Sequence, residues 1–319
     1  MNTLGIDHGT QSIRFCALGS GDQEIKFEIG REEAAKRSIL EEIKKRVSFS
    51  IDMVGVTYSM GDAINGVVDL HRVMDRGLIK ESTGNYIGGG TKVFDEIYKS
   101  DLNAVLIPGL HRGIECLDPR FKALYSHCAA SEKVSLSYHI FLEVNKTSKV
   151  DNLIISDISS NTVTIGIKDG KFFGAMDACL GAVGLLHGPL DLGAIRRVDD
   201  GKISANEAFY TSGAIKILKD DLNKIFNSNN EKAKLALDSL ILSVTMEICS
   251  FLGAFKPETI VITGSAGVND KVYNALKEAV ERFGSVQKIN GFSAAKGGAQ
   301  IAMSVLKGQK DVLGIPIKF

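Results

Sequence analysis

The 319-residue sequence is poor in cysteine and shows no pattern among the five it has: Cys16, Cys116, Cys128, Cys179 and Cys249 form no C-x-x-C pair and no short Cys/His cluster. That odd, scattered set excludes a disulfide framework and a zinc site and reads as free thiols in small core positions. Neither sign of charge is in excess, since 38 Lys+Arg offset 38 Asp+Glu. The balance excludes a polybasic nucleic-acid binder and an acidic tail. An unbroken apolar run is also missing. The most apolar window, residues 235–255, is interrupted by Asp238 and Glu247, and its Leu237, Leu240, Ile241, Val244, Ile248, Phe251 and Leu252 follow helical spacing. A buried core helix is expected there, with no membrane partner. Met1-Asn2-Thr3-Leu4 runs into a strand-like segment without a basic n-region, which points to a cytoplasmic protein.

What remains is an ordinary globular composition, 44% hydrophobic and 24% charged, over a length that suits two domains of roughly 150 residues. Three short strands, residues 4–7, 13–17 and 25–29, open the chain as an antiparallel meander. A helical pattern over 32–46 and strands at 53–57 and 104–107 follow. The plan restarts at Asp151, with strands at 153–156, 163–167 and 172–175, a helix at 231–255, a strand at 259–263, and helices at 270–283 and 294–307. Residues 7–15, DHGTQSIRF, align without a gap against residues 157–165, DISSNTVTI, matching Asp, Gln/Asn, Ser/Thr and Ile/Val. Such a duplication predicts two similar domains, 1–146 and 147–319, facing one another across a cleft, where small ligands tend to bind.

The turns carry the chemistry. A strand ending in Asp7 and followed by His8-Gly9-Thr10 places a carboxylate beside backbone amides at one tight turn. Amides gathered in a concavity bind phosphate oxygens, and glycine lets the phosphate come close. Asp7 is then suited to hold magnesium through its waters while Gly9, Thr10 and Gln11 contact phosphate; a plain hairpin turn is the other reading of the same residues. A third element, Thr263-Gly264-Ser265-Ala266-Gly267, runs from a strand into a small-residue turn before a helix, where a flat base or sugar can lie against the backbone. His111-Arg112 ends another strand on a tight turn, fit either for a carboxylate or phosphate or for a solvated loop, and Arg14 lies just beyond the first turn.

Taken in order, the Asp7 turn, residues 157–162 and residues 263–267 resemble the two phosphate turns and the adenosine turn of the actin, sugar kinase and heat-shock ATPase superfamily. Within it the chain is most similar to acetate and butyrate kinases: His127, Val134 and Tyr138 match a spaced helical pattern, Asn152-Leu153-Ile154 introduces a strand, and Gly188-Pro189 follows. It also resembles the archaeal methanogenesis marker family of this superfamily. Two departures stand out. Ser159-Ser160-Asn161 occupies a turn that is glycine-rich in acyl kinases, and the arginine after Gly-Pro is displaced to Arg196 or Arg197.

The resemblance implies an α/β protein of two actin-like, ribonuclease H-like domains, each with a five-stranded mixed sheet, joined by a crossover helix around 119–145. It implies ATP and Mg2+ as cofactors and phosphoryl transfer to a small carboxylate. In that scheme Asp7 and Asp157 organise the metal, and His127 on the crossover helix stabilises the transferring group. Ser159, Ser160, Asn161 and Thr162 contact phosphate, Gly264, Ser265, Ala266 and Gly267 flank adenosine, and Arg14, His111 and Arg112 hold the acid. The alternative within the same superfamily is a nucleotide-switched regulator whose partner is another protein. A homodimer is a further expectation from the acyl kinases. Two glycines in place of Ser159 and Ser160 are expected to be tolerated.

Overall fold

The computed structural model describes residues 1–9, 12–58, 63–74, 89–218, 224–227, 230–289 and 293–319. The chain forms two compact units, Met1–Lys149 with Phe292–Phe319, and Val150–Gly291.

In the first unit the meander is β1 (Thr3–His8), β2 (Ser12–Leu18) and β3 (Glu24–Gly30), followed by α1 (Arg31–Ala34), α2 (Ile39–Arg46) and β4 (Met53–Val56). Then come β5 (Val67–Asp69), α3 (Gly89–Tyr98), β6 (Ala104–Leu106), β7 (Leu110–His111), α4 (Pro119–Leu124), β8 (His127–Ala129) and α5 (Ser131–Val144). The helix expected over 32–46 is two helices. Ser38 breaks it by capping α2 through Glu41 N, and Glu96 on α3 accepts from Ile39 N at 2.7 Å. The expected crossover helix is likewise divided. Asp118 and Pro119 start α4 as a cap and a first-turn proline should, but Tyr125 is extended and β8 pairs with β7 before α5 begins.

In the second unit, β9 (Leu153–Ile158), β10 (Thr162–Lys168) and β11 (Lys171–Met176) form the second meander. The helices α6 (Leu192–Asp199), α7 (Ala205–Tyr210), α8 (Ile215–Leu218), α9 (Lys224–Asn227) and α10 (Glu231–Leu252) lead to β12 (Thr259–Thr263), α11 (Asp270–Val280) and β13 (Ser285–Lys288). Of the described helices α10 alone is long and apolar enough to cross a membrane. It turns Leu240, Val244, Ile248 and Phe251 inward and leaves Leu235, Leu242 and Met246 exposed. The chain then returns to the first unit with α12 (Ser293–Leu306), β14 (Asp311–Val312) and β15 (Ile315–Lys318).

The second unit's sheet has the order β11-β10-β9-β12-β13, the five strands expected. In the first unit β3-β2-β1-β4-β6 repeats that order and those directions, with β9 and β1 each antiparallel to the next strand in sequence and parallel to β12 or β4. Three more strands, β5, β15 and β14, extend it to eight. Alternation along β1 sends Leu4 and Ile6 into a core with Ile13, Phe15, Val54, Val56 and Ile97, and turns Gly5 to the other face. There α12 lies. Gly5 and Gly55 are paired across β1 and β4, and a Cβ on either would overlap a backbone carbonyl oxygen of α12, from Ala295 or Gly298. Gly297 in turn lets the Ser135 carbonyl of α5 approach. Residues 293–319, expected in the second domain, therefore complete the first unit, because their small residues fit its glycine-lined sheet.

Candidate functional site

Strand ends position the first turn. Asp7 stands one residue before the end of β1, is buried, and has Arg14 of β2 opposite it, with Arg14 Nη1 at 3.6 Å from Oδ2 and Nε at 3.8 Å from Glu28. Gly9 follows with the Ser12 carbonyl close on its Cβ side. Thr10 and Gln11 lie outside the described residues. His8 points away from Asp7, its ring 4.6 Å from that of Tyr58. Burial, with the Arg31 charge behind it, pushes the His8 imidazole down to about 3, so the ring is neutral.

The second turn is built differently. Asp7 pairs with Arg14, seven residues on, whereas Asp157 pairs with Val163, six on. The ungapped alignment of the two segments therefore holds to the aspartates and slips by one beyond the turn, and Val163 stands where the first unit has Arg14. Asp157, buried one residue before the end of β9, pairs with Thr263 of β12. That register brings the expected adenosine turn onto the second phosphate turn. Gly264 takes φ +87°, and a side chain there would overlap Asp157 Oδ1 and the Ile158 carbonyl and meet Ser159 Oγ at 2.6 Å. Ala266 N and Gly267 N donate to the Ile158 carbonyl at 2.9 and 3.0 Å. Ser159 Oγ donates to Asp157 Oδ1 at 3.2 Å and accepts from Ser265 N at 3.0 Å. The serine is thus a bracket between the two turns that a glycine would not supply.

A strap, residues 177–190, braces this turn. Leu185 N bonds the Ser159 carbonyl, and Leu186 N and His187 N bond that of Ser160, each at 2.9 Å. Gly184 is glycine because a side chain would overlap Asn161 and Ser160. Thr162, expected at the phosphate, is buried with its hydroxyl donated to the Val183 carbonyl at 2.8 Å, so it holds the strap instead.

Three further residues fall on the β7–β8 hairpin of the first unit. His127 sits on β8 opposite His111 and not on a helix, since residues 126–130 are drawn into pairing with β7. His111 is buried and fully engaged: Nδ1 accepts from Gly113 N at 3.1 Å, which leaves Nε2–H to donate to the Ile64 carbonyl at 2.8 Å. The substrate role expected of it is taken up by this structural task. Arg112 is exposed beside it.

One carboxyl escaped the sequence reading. Glu247 is buried on α10, where its Oε2 accepts from Ala182 N and lies where a Gly181 side chain would be. Burial raises its carboxyl to about 7 against the contrary pull of Thr164 and the Ala182 amide, and Asp177 adds to the rise. The signal was there: Glu247 shares the helical phase of Leu240, Val244 and Phe251.

A duplicated five-stranded sheet, with an aspartate one residue before the end of each first strand and a glycine turn after β12, is the fold this chain shares with solved acyl kinases. A propionate kinase of Francisella tularensis matches it with TM-score 0.69 at 14% identity, over 95% of this chain and 99% of that one. An acetate kinase of Porphyromonas gingivalis matches with TM-score 0.67 at 13% identity, over 96% and 99%. By sequence the chain belongs to the archaeal UPF0285 family. It is 48% identical over 334 residues to the UPF0285 protein of Methanocaldococcus jannaschii, covering 100% of each, and 47% identical over 331 residues to that of Methanococcus vannielii, covering 100% and 99%. No family model matches the chain.

Proposed function

We propose that this protein is an ATP- and Mg2+-dependent phosphotransferase acting on a small carboxylate in the cytoplasm. The observation that supports the reading is the junction at Asp157, where Ser159 and Gly264 tie the expected second phosphate turn to the expected adenosine turn, in a fold shared with acetate and propionate kinases. Among the described residues no group of three or more His, Cys, Asp or Glu side chains is placed to hold a metal. Magnesium keeps waters and takes one or two carboxylates plus phosphate oxygens. In this proposal Asp7 and Asp157, one in each unit, are the candidate carboxylates; Mg2+ would supply neutralisation of phosphate charge, and in-line transfer needs positioning more than a protein nucleophile. Gly9 opens the first turn to phosphate, and Gly264 to Gly267 receive adenosine.

The test is incubation with Mg·ATP and a panel of short acids, with hydroxylamine trapping acyl phosphate. Hydroxamate with at least one acid is expected; none across the panel overturns the reading. A second reading, a nucleotide-switched regulator, is favoured by one observation: the Ser159 side chain occupies the space beside Asp157 where acyl kinases have glycine. Affinity purification with and without ATP separates the two, since a stoichiometric protein partner gained or lost with nucleotide supports the switch.

A further inference from the structure

β3 ends the eight-stranded sheet of the first unit, with β2 on one side and, among the described residues, no strand on the other. Its counterpart in the repeat, β11, ends the second sheet in the same way but is covered, since Phe172, Phe173 and Ala175 are buried. β3 is not covered. Lys26, Glu28 and Gly30 are exposed, and Ile25 and Phe27 are only half-buried against the core. A seven-residue strand with a free row of N–H and C=O groups is a template for a further strand, and native proteins blunt or cover such edges. Here no proline stands in Glu24–Gly30, and the register with β2 runs from Ser12 to Leu18 without a bulge. The strand is also held in shape, because the Phe27 ring stacks on Phe15 at 4.6 Å with the Arg46 guanidinium 5.1 Å above it.

We propose that β3 is the surface through which two copies of this chain pair, edge to edge and antiparallel, about a two-fold axis at Phe27. The sequence Glu24-Ile25-Lys26-Phe27-Glu28-Ile29-Gly30 is complementary to itself in that register. Lys26 of each copy lies opposite Glu28 of the other, and Ile25 lies opposite Ile29. Glu24 falls opposite Gly30, whose Cβ side is open space. Residues opposite one another share a face, so the charged row and the apolar row both continue from one copy into the next. Sliding the strands by two residues sets Lys26 against Lys26 or Glu28 against Glu28, and like charges directly opposite are destabilising. The charges that guard the edge against other partners therefore select its own copy. Lys26 Nζ lies 2.7 Å from Glu24 Oε1, and Glu28 Oε2 accepts from the Ser12 hydroxyl at 3.0 Å. An ammonium with three donors and a carboxylate with two oxygens each keep capacity for the second copy. The contact is isologous and closes at two subunits. None of this depends on the kinase reading.

The experiment is sedimentation velocity of the full chain over a concentration series, on the parent, Lys26→Glu, Glu28→Lys, the variant with both changes, and an equal mixture of the two single variants. The parent should dimerise. Each single reversal puts two like-charge pairs into the interface and should weaken the dimer roughly tenfold to hundredfold. The two reversals together should restore it. The mixture should give a heterodimer, because one copy then carries Glu at both positions and the other Lys at both. Both side chains are exposed, so melting temperatures close to that of the parent are expected for every variant. Amide hydrogen exchange on the parent gives a reading free of any substitution. Exchange across residues 24–30 should slow as concentration rises, while residues 171–176 stay unchanged. Pairing through β3 is overturned by a parent that stays monomeric throughout the series, by a dimer indifferent to either reversal, by single variants that fail to rescue one another, or by exchange at 24–30 that ignores concentration.

Discussion

The two aspartate turns descend from one repeat, yet the protein treats them in opposite ways. At Asp157 the turn is short and its backbone is tied down by the strap, by Ser159 and by the Gly264 turn, so most of its order is supplied from within the second unit. At Asp7 the turn is one residue longer, and a half-exposed arginine stands across from the carboxylate where the second unit has a buried valine. The difference teaches that the ancestral turn can specialise by what surrounds it: the second is a braced junction, and the first sets a cation across from its aspartate.

The sharpest way to break this comparison is through the glycines. Gly264→Val should cost the second unit about 4 kcal/mol, because it combines a left-handed backbone with overlap on Asp157 and Ile158. Gly9→Val should cost less than Gly264→Val, since a Cβ there meets one backbone oxygen, that of Ser12, at 2.9 Å, and should block Mg·ATP. Urea unfolding followed in both units, with calorimetric titration of nucleotide, reads both; equal destabilisation would mean that the first turn is as braced as the second.

The brace itself should depend on pH. Glu247 titrates at about 7 in the folded protein against an ordinary 4.5. Between those values the native state holds a proton that the unfolded chain has lost, so the stabilisation is complete below pH 4.5 and is lost as pH rises through about 7. At about 1.4 kcal/mol per unit the change amounts to about 3 kcal/mol. Glu247→Gln should flatten the stability profile between pH 5 and 8 while keeping an acceptor for Ala182 N. A urea midpoint in the variant as steep with pH as in the parent would rule this out.

Removing the first carboxylate acts on ligand rather than on fold. Asp7→Ala should weaken Mg·ATP about tenfold to hundredfold, corresponding to about 1.5 to 3 kcal/mol, with little change in melting temperature. Unchanged affinity by calorimetry would reduce the Asp7 turn to a hairpin. The smallest effect is expected from Ser159→Gly, which removes one bracket between the turns and should cost about 1 kcal/mol of second-unit stability. An equally stable variant that transfers phosphoryl faster would restore the idea that glycine belongs there.

Much of the fold was legible because its signals are local. The two meanders, the strand before Gly264 and the apolar phase of α10 follow from alternation and helical spacing. What failed depended on partners distant in sequence. Residues 125–130 contain no glycine or proline to announce a break, and β8 exists only because β7 lies beside it. The one-residue insertion at the first turn was hidden because Ser12-Ile13 and Thr162-Val163 look alike. Around the candidate site, the places of both aspartates near strand ends and the Gly264 turn were readable from strand-turn grammar. The roles of Ser159, Thr162 and His111 were not, since each hydrogen-bonds a residue named only by tertiary structure.

The place of α12 sets an order of manufacture. The second unit is continuous in the chain and can close as soon as Gly291 has left the ribosome, whereas the sheet around Gly5 and Gly55 awaits a helix made among the last residues. At about 5–20 residues per second, the amino-terminal meander spends roughly ten to thirty seconds after Lys149 is made with one face uncovered. Nascent chains arrested before Ser293 should therefore carry a protease-resistant second unit behind a digestible first one. Chaperone demand during synthesis should fall on the oldest part of the chain, not the newest.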